Sequence, residues 1–311
     1  MNLQNLRIFL KVAELEHVTR AAEELHLSQP AVTKTIHSLE QEVHLKLIER
    51  QGRRIALTNA GRVLKEYAQQ LFSLEREMED ALKELRDVEG GEVRLAFNRT
   101  AGVYLLPLVV SRFRARYPQV TLHISILNSP EIVQALLNWQ LDFGLVESDT
   151  SICPPELQVE MATSDELILV VAPTHKWSKL QVLPVTALNQ GELILREEES
   201  VIRGMIEQEL ERHGVQIHSL FTLTDNEAVK QMVMSGVGAA IISAFSVQRE
   251  LMRGELVHVP VSNLNLRPQL CLMRRADRRL SPAAQAFCAV LSPILEHGLE
   301  AIRASTFEGG R

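Results

Sequence analysis

HVTRAAEELHLSQPAVTKTIHSLEQEV, residues 17–43, and the HLKLIERQGRRIALT that follows it, residues 44–58, decide how the rest of the chain is read. Two short helical patterns are joined by His26-Leu27-Ser28, and an arginine-bearing loop comes after them. The first helix is expected over Val18 to Leu25, where Ala21 and Ala22 are small enough for close packing. The second opens at Ser28, a good N-cap type, with Pro30 in its first turn, where a missing N–H is little loss. Val32, Ile36, Leu39 and Val43 then recur at helical steps and form one buried face. Pro30, Thr33, Lys34 and His37 lie on another. A short helix with an apolar back and a hydroxyl, amine and amide edge suits a DNA major groove.

Outward from that core, Leu3, Leu6, Phe9, Leu10 and Ala13 share a face of a preceding helix. Residues 44–57 read as a wing, with Gly52 favouring a tight turn and Arg53 and Arg54 at the tip able to reach phosphates or a narrow minor groove. Arg50 is more ambiguous, because Glu49 and helix carboxylates offer it ion pairs. Thr58 caps a long helix in which Leu64, Tyr67, Leu71, Leu74, Met78, Ala81 and Leu85 alternate steps of three and four. That row would run about 32 Å and suits a dimerising linker better than a helix lying on its own domain. The helix ends in Gly90-Gly91.

The net charge of −6 looks wrong for a nucleic-acid partner, but residues 1–62 carry nine Lys/Arg against seven Asp/Glu, and the rest of the chain is acidic. The 311 residues allow two or three domains with real cores. No apolar run suggests a membrane span and no secretory signal is visible, so a cytoplasmic protein is expected. Cys153, Cys271 and Cys288 are odd in number and far apart, which fits a reducing compartment. There is no CxxC pair and no HExxH motif, so no metal or cofactor is expected.

From Glu92 the pattern becomes alternating strands and helices. Strands are expected at 93–97, 121–127, 142–146, 167–172, 193–196, 220–223, 239–243, 256–261 and 269–275. Helices are expected at 101–117, 130–139, 200–212, 226–235 and 282–301, with a frayed tail after Ala304. This is an α/β pattern with mostly parallel sheets, divided between two lobes. The expected domains are 1–58, a linker over 59–89, and 90–304, with a first lobe at about 92–161 plus 267–300 and a second at about 162–266.

Ligand loops in such folds lie at the C-terminal ends of strands, where helix N-termini present free N–H groups. Asn98-Arg99-Thr100-Ala101 and Asn128-Ser129 occupy such places in the first lobe. Arg196-Glu197, Ser200, Thr224 and Asn226 occupy them in the second. Thr100, Ser129 and Ser200 could equally be helix caps. If the loops converge with Arg99 or Arg196 near, they make an anion site. Gly236-Val-Gly238 follows a helix and precedes a strand, the reverse of a dinucleotide fingerprint, and is discounted.

TRAAEELHLSQPAVTKTIHSLEQEV and LIERQGRRIALTNAG closely resemble the LysR-type transcriptional regulators. So do YLLP (104–107), RFRARYPQV (112–120), LDFGLVE (141–147), ILRE with Ser200 and Arg203 beyond it, and SGVGAAIIS (235–243). The resemblance implies a winged helix-turn-helix, a long linker helix and a two-lobed periplasmic-binding-protein-like α/β effector domain. It implies a homo-oligomer, commonly a tetramer of two dimers, that binds double-stranded promoter DNA, answers to a small-molecule effector and works with RNA polymerase. Gln29, Pro30, Thr33 and Lys34 match the family's groove-facing positions, and with Ser28, Arg53 and Arg54 they are the expected DNA contacts. Gln can pair with adenine, Lys with guanine or phosphate, and Pro and the Thr methyl with thymine methyls.

The chain departs from the family at His44, where a Gly commonly ends the recognition helix. It departs again at Val18, at Lys46-Leu47-Ile48, at Glu199-Ser200 and at Ile202. The last two lie at the expected cleft, so no effector is carried over. The competing reading is a metabolite-binding protein or enzyme whose N-terminal module serves assembly. It would need a catalytic constellation that the sequence does not show.

Overall fold

Asn2 accepts a hydrogen bond from Gln4 N at 2.8 Å and opens helix α1, Leu3–Leu15. The computed structural model describes residues 1–51, 54–84, 90–148, 153–190, 192–217 and 219–308. At 50, 51, 54, 80, 81, 83, 84, 190, 220 and 297–308 it describes the backbone alone. Met1–Leu82 forms the body of one unit, and Lys83–Leu137 with Leu141–Arg311 forms the other.

In the first unit, α2 is Val18–Glu24 and α3 is Gln29–Val43. The hairpin β1 (Ile48–Gln51) and β2 (Arg54–Leu57) pairs Gln51 with Arg54 and Ile48 with Leu57. Phe9, Val12, Ala21, Ala22, Val32, Ile36, Leu39, Leu47 and Ile55 close one core between the three helices and the hairpin. On α1 the buried face is centred on Phe9 and Val12, so Leu3 stays exposed rather than joining it. Helix α3 ends at His44 in a left-handed conformation, φ 56°, a backbone that favours Gly.

Helix α4, Asn59–Glu84, begins where Thr58 Oγ1 accepts from Gly61 N at 3.0 Å. Ala68 and Phe72 bury one side of it with Leu6. Its 26 residues rise about 39 Å.

The second unit begins with β3 (Gly91–Phe97), α5 (Arg99–Tyr104), α6 (Leu106–Arg116), β4 (Val120–Ile126), α7 (Ser129–Leu137), β5 (Phe143–Ser148) and β6 (Leu157–Ser164). It continues with β7 (Leu167–Val171), β8 (Leu183–Pro184), β9 (Leu193–Arg196), α8 (Val201–Arg212), β10 (Ser219–Leu223), α9 (Asn226–Met234) and β11 (Ala240–Ser243). Last come α10 (Ala244–Arg253), β12 (Val257–His258), β13 (Val261–Ser262), β14 (Gln269–Arg275) and α11 (Pro282–Glu308).

Two lobes result. The first holds a five-stranded sheet in the order β4-β3-β5-β14-β6, packed on Phe113, Phe143 and Phe287. The second is built on β11-β7-β12 and on the parallel pair β9 and β10.

Several expectations are corrected. The sheets are mixed rather than mostly parallel: β14 runs antiparallel to β5 and β6, and β7 antiparallel to β11 and β12. The chain passes between lobes through direct crossovers rather than βαβ returns, so strands enter each sheet from the opposite side. The helix expected over 101–117 is two helices, because Pro107 sits in the first turn of α6, where a new helix tolerates it. The strand expected over 256–261 is broken by Pro260 into two short ones. Helix α11 runs on to Glu308, past the expected fraying point at Ala304. Strand β6 and helix α10 had no counterpart in the sequence reading.

At the crossing, Asp165 N donates to Pro268 O and Leu167 N to Leu266 O, both at 2.9 Å. The two interlobe connections therefore lie side by side.

Candidate DNA-binding face and effector cleft

Ser28 Oγ accepts from Ala31 N at 3.4 Å, so the residue read as a cap is one. With Val32, Ile36 and Leu39 buried, the rotation of α3 is set, and Gln29, Pro30 and Lys34 point outward. Thr33 is half-buried and its Oγ1 accepts from Gln29 Nε2 at 2.8 Å. Among the described residues Lys34 has no ion-pair partner. Gly52 and Arg53 lie outside the described residues. The backbone of Arg54 pairs in the hairpin, but its side chain is outside them too.

A residue the sequence reading passed over braces this face. Glu40, buried on α3, accepts from Lys46 Nζ at 2.7 Å, Leu47 N at 3.0 Å and Ile48 N at 3.4 Å. Burial pushes its carboxyl up, but Lys46 and the two backbone N–H groups outweigh burial and hold it below the usual carboxylate range. The recognition helix is thus tied to the wing by one carboxylate. Its signal was an acid on the buried side of an amphipathic helix with Lys46 six residues on. His37 adds a contact to Glu40 at 3.3 Å.

On α4, Tyr67, Leu71, Leu74 and Met78 form an exposed row, with Tyr67 65% and Leu74 66% exposed. Val63 and Leu82 extend it at either end. Leu64 instead packs partly into its own unit. The side chain of Ala81, and all of Leu85, lie outside the described residues.

In the second unit five of the eleven expected loop residues, Arg99, Thr100, Arg196, Glu197 and Asn226, come together. Asn98 caps α5 by accepting from Ala101 N at 2.9 Å. Thr100, on the first lobe, accepts from Asn226 Nδ2 of the second at 3.1 Å. Arg196 donates to both carboxylate oxygens of Glu197, at 2.7 and 2.8 Å, and to Asn226 Oδ1. Arg99 is exposed, 4.0 Å from Glu197.

The remaining loop residues are spent differently. Asn128 and Glu131 form a capping box at 2.8 and 2.9 Å. Ser200 caps α8 by accepting from Arg203 N at 3.4 Å. Thr224 is exposed, and Asp225 rather than Thr224 caps α9, at 2.9 Å. Ser129 Oγ accepts from Glu147 N at 3.0 Å rather than capping α7.

A cavity of about 470 Å³ opens between the lobes, lined by Ser129, Glu147, Val201, Gly204, Met205 and Gln208. Beside Thr100, Arg196 and Asn226 only about 20 Å³ is left. Glu147 is the residue that sequence reasoning missed here. Its signal was an acid at the end of the buried run LDFGLVE. Among the described residues no cluster of His, Cys, Asp or Glu is arranged as metal ligands, and no helix is long and apolar enough to cross a membrane.

Residues 3–62 match the bacterial regulatory helix-turn-helix protein, lysR family, and residues 86–294 match the LysR substrate binding domain. The RuBisCO operon transcriptional regulator of Allochromatium vinosum is 35% identical over 92% of this chain and 94% of its own length. The probable RuBisCO transcriptional regulator of Cyanophora paradoxa is 31% identical over 92% and 90%. Among solved structures, full-length OxyR from Pseudomonas aeruginosa superposes with a TM-score of 0.70 at 20% identity, covering 97% of this chain and 95% of that one. The Synechocystis CcmR regulatory domain in complex with 2-PG gives 0.60 at 25% identity, covering 66% of this chain and 98% of that one. A helix-turn-helix, a linker helix and a two-lobed α/β domain define a DNA-binding regulator that carries its own effector-binding domain. The chain belongs to the LysR-type transcriptional regulator family.

Proposed function

We propose that the protein binds an operator as a homo-oligomer and regulates transcription in answer to a small molecule held between its two lobes. The observation that carries the reading is α3: one face is locked into a core, and Gln29, Pro30 and Lys34 are left outward on the other. These residues, with Ser28 and Thr33, read base edges, while Arg53 and Arg54 add phosphate or minor-groove affinity. The exposed row on α4 pairs with the same row of a second copy and sets the spacing of two half-sites. Pairs of dimers assemble further, as a tetramer. Effector binding in the 470 Å³ cavity changes lobe closure, hence the placement of the dimers and the bend of the DNA, and so contact with RNA polymerase.

The target is an operon of the kind named for the relatives, one encoding RuBisCO. The support is an identity of 35% that extends over both domains. A gel-shift series on DNA upstream of a RuBisCO operon tests this. Lys34→Ala is expected to weaken binding and lower the salt slope by about one. Unchanged affinity and slope would place the interface elsewhere, and wild-type binding no tighter than to unrelated DNA would remove the assigned target.

A further inference from the structure

Helix α8 turns Ile202, Ile206 and Leu210 into the core of the second lobe. That fixes its rotation, and Val201, Gly204, Met205 and Gln208, at helical spacing, share the face that lines the 470 Å³ cavity. From the first lobe, α7 buries Ile132, Ala135 and Leu136 and turns Val133 and Gln134 into the same space. Met273 of β14 joins them. The cavity is a slot with one helix face from each lobe.

Three features of this lining serve no contact within the free chain. Gly204 lies inside α8, where glycine weakens a helix relative to alanine, yet a Cβ there would meet nothing within 4 Å. No neighbour demands the glycine, and bare backbone suits the close approach of a flat ligand. Met205 and Met273 bring thioethers from opposite lobes, and such sulfurs favour contact with an aromatic ring. The side-chain amides of Gln134 and Gln208, again from opposite lobes, make no hydrogen bond among the described residues.

Charge narrows the choice. Among the described residues lining the cavity there is no Lys, Arg or His. Arg196, the cation expected from the sequence, lies against a different and nearly closed space, engaged by Glu197 and Asn226. The acid in the lining, Glu147, already faces Thr100, Asn98 and Arg196. An anion would meet a carboxyl and no cation, and a cation would compete with Arg196 for Glu147.

A carboxamide has two N–H donors and two lone pairs. It can pair with one glutamine through both of its groups and still present an N–H and a lone pair to the other. A carboxylate has acceptors alone and would leave both glutamine carbonyls unmatched. We propose that the effector is an uncharged aromatic ring with an amide-type donor–acceptor edge, stacked on Gly204 between Met205 and Met273 and read by Gln134 and Gln208. This rests on the cavity being the effector site.

Nicotinamide, nicotinate and pyridylmethylamine carry an amide, a carboxylate and an ammonium on the same ring. Calorimetry on the full chain near neutral pH compares them. Nicotinamide should bind at least about tenfold more tightly than either of the others. Gln134→Leu and Gln208→Leu change exposed side chains, so the fold is kept, and each should weaken nicotinamide and narrow that margin. Gly204→Phe sends its ring into the cavity and should abolish binding.

Nicotinate or the amine binding as tightly as nicotinamide overturns the proposal. So does a margin unchanged in both glutamine variants, and so does the absence of binding by all three probes. If nicotinate binds best and Gly204→Phe abolishes it, the cavity stands as the effector site and the uncharged occupant falls. If the tightest probe binds Gly204→Phe unchanged, the reading of the cavity falls as well.

Discussion

Asp165→Asn should stabilise the protein in alkaline solution and not in acid. Asp165 is 4% exposed where the two interlobe connections run side by side, and its Oδ1 accepts from Glu166 N at 2.7 Å. Its acid is pushed up to about 7 from the ordinary 3.8, first by burial. The native state therefore keeps a proton that the unfolded chain releases above the ordinary value. Stability contributed by that proton is complete below about pH 4, falls as pH rises, and is gone above about pH 7. The gap is about three pH units, each worth about 1.4 kcal/mol, so the ceiling on the alkaline penalty is about 4 kcal/mol. Asn removes the ionisation, and its Oδ1 can still accept from Glu166 N.

Urea unfolding followed by tryptophan fluorescence reads the effect, since Trp177 is buried in the second lobe's core. Expected is a variant more stable than wild type by about 2–4 kcal/mol near pH 8.5, the difference shrinking by about 1.4 kcal/mol per unit between pH 7 and 5. A difference that does not change with pH, or a variant less stable in alkali, would refute the reasoning. Either result would mean that Asp165 is ionised in the folded chain.

Leu74→Lys places a charge in the middle of the exposed row on α4, and sedimentation should then report a monomer with unchanged helix content; a persistent oligomer would move the interface off α4. Glu40→Ala leaves Leu47 N and Ile48 N without their acceptor and should cost about 1–3 kcal/mol, seen as a lower thermal midpoint. Because the Glu40 carboxyl is held below the ordinary range, its stabilisation is present above that range and is lost as pH falls through its folded value, so the deficit should shrink in acid. His44→Gly relieves a left-handed residue at φ 56° and should raise the midpoint by about 1 kcal/mol of stability; a lower midpoint would mean that the imidazole makes a contact worth more than the strain.

The reader helix was legible because its signals are local. Ser28, Pro30 and the apolar steps from Val32 to Leu39 act within two or three turns. The exposed row on α4 was legible for the same reason. The break at Pro107 was visible but was absorbed into a helical pattern that continues on both sides of it. Strand β6 escaped because its side chains, apart from Leu157, are half or fully exposed, so no apolar alternation announces it. At the cleft, Thr100, Arg196 and Asn226, expected on separate ligand loops, do touch one another. Their partners were not foreseen: Arg196 is engaged by Glu197 rather than waiting for an anion, and Asn128 is used up in a cap.

By itself, then, the sequence determined the recognition helix, its cap, the wing, the linker helix and the alternation that makes two α/β lobes. Each of these follows from residue type and spacing over short stretches, where backbone geometry and apolar period act alone. Only the tertiary structure decided the direction of β14, the bracing of α3 by Glu40, and the chemistry of the cleft. Thr100 and Asn226 are 126 positions apart, and Glu147 and Asp165 matter because burial removes their water. Desolvation and charge neighbourhood are properties of the folded surroundings, and no spacing within one segment encodes them.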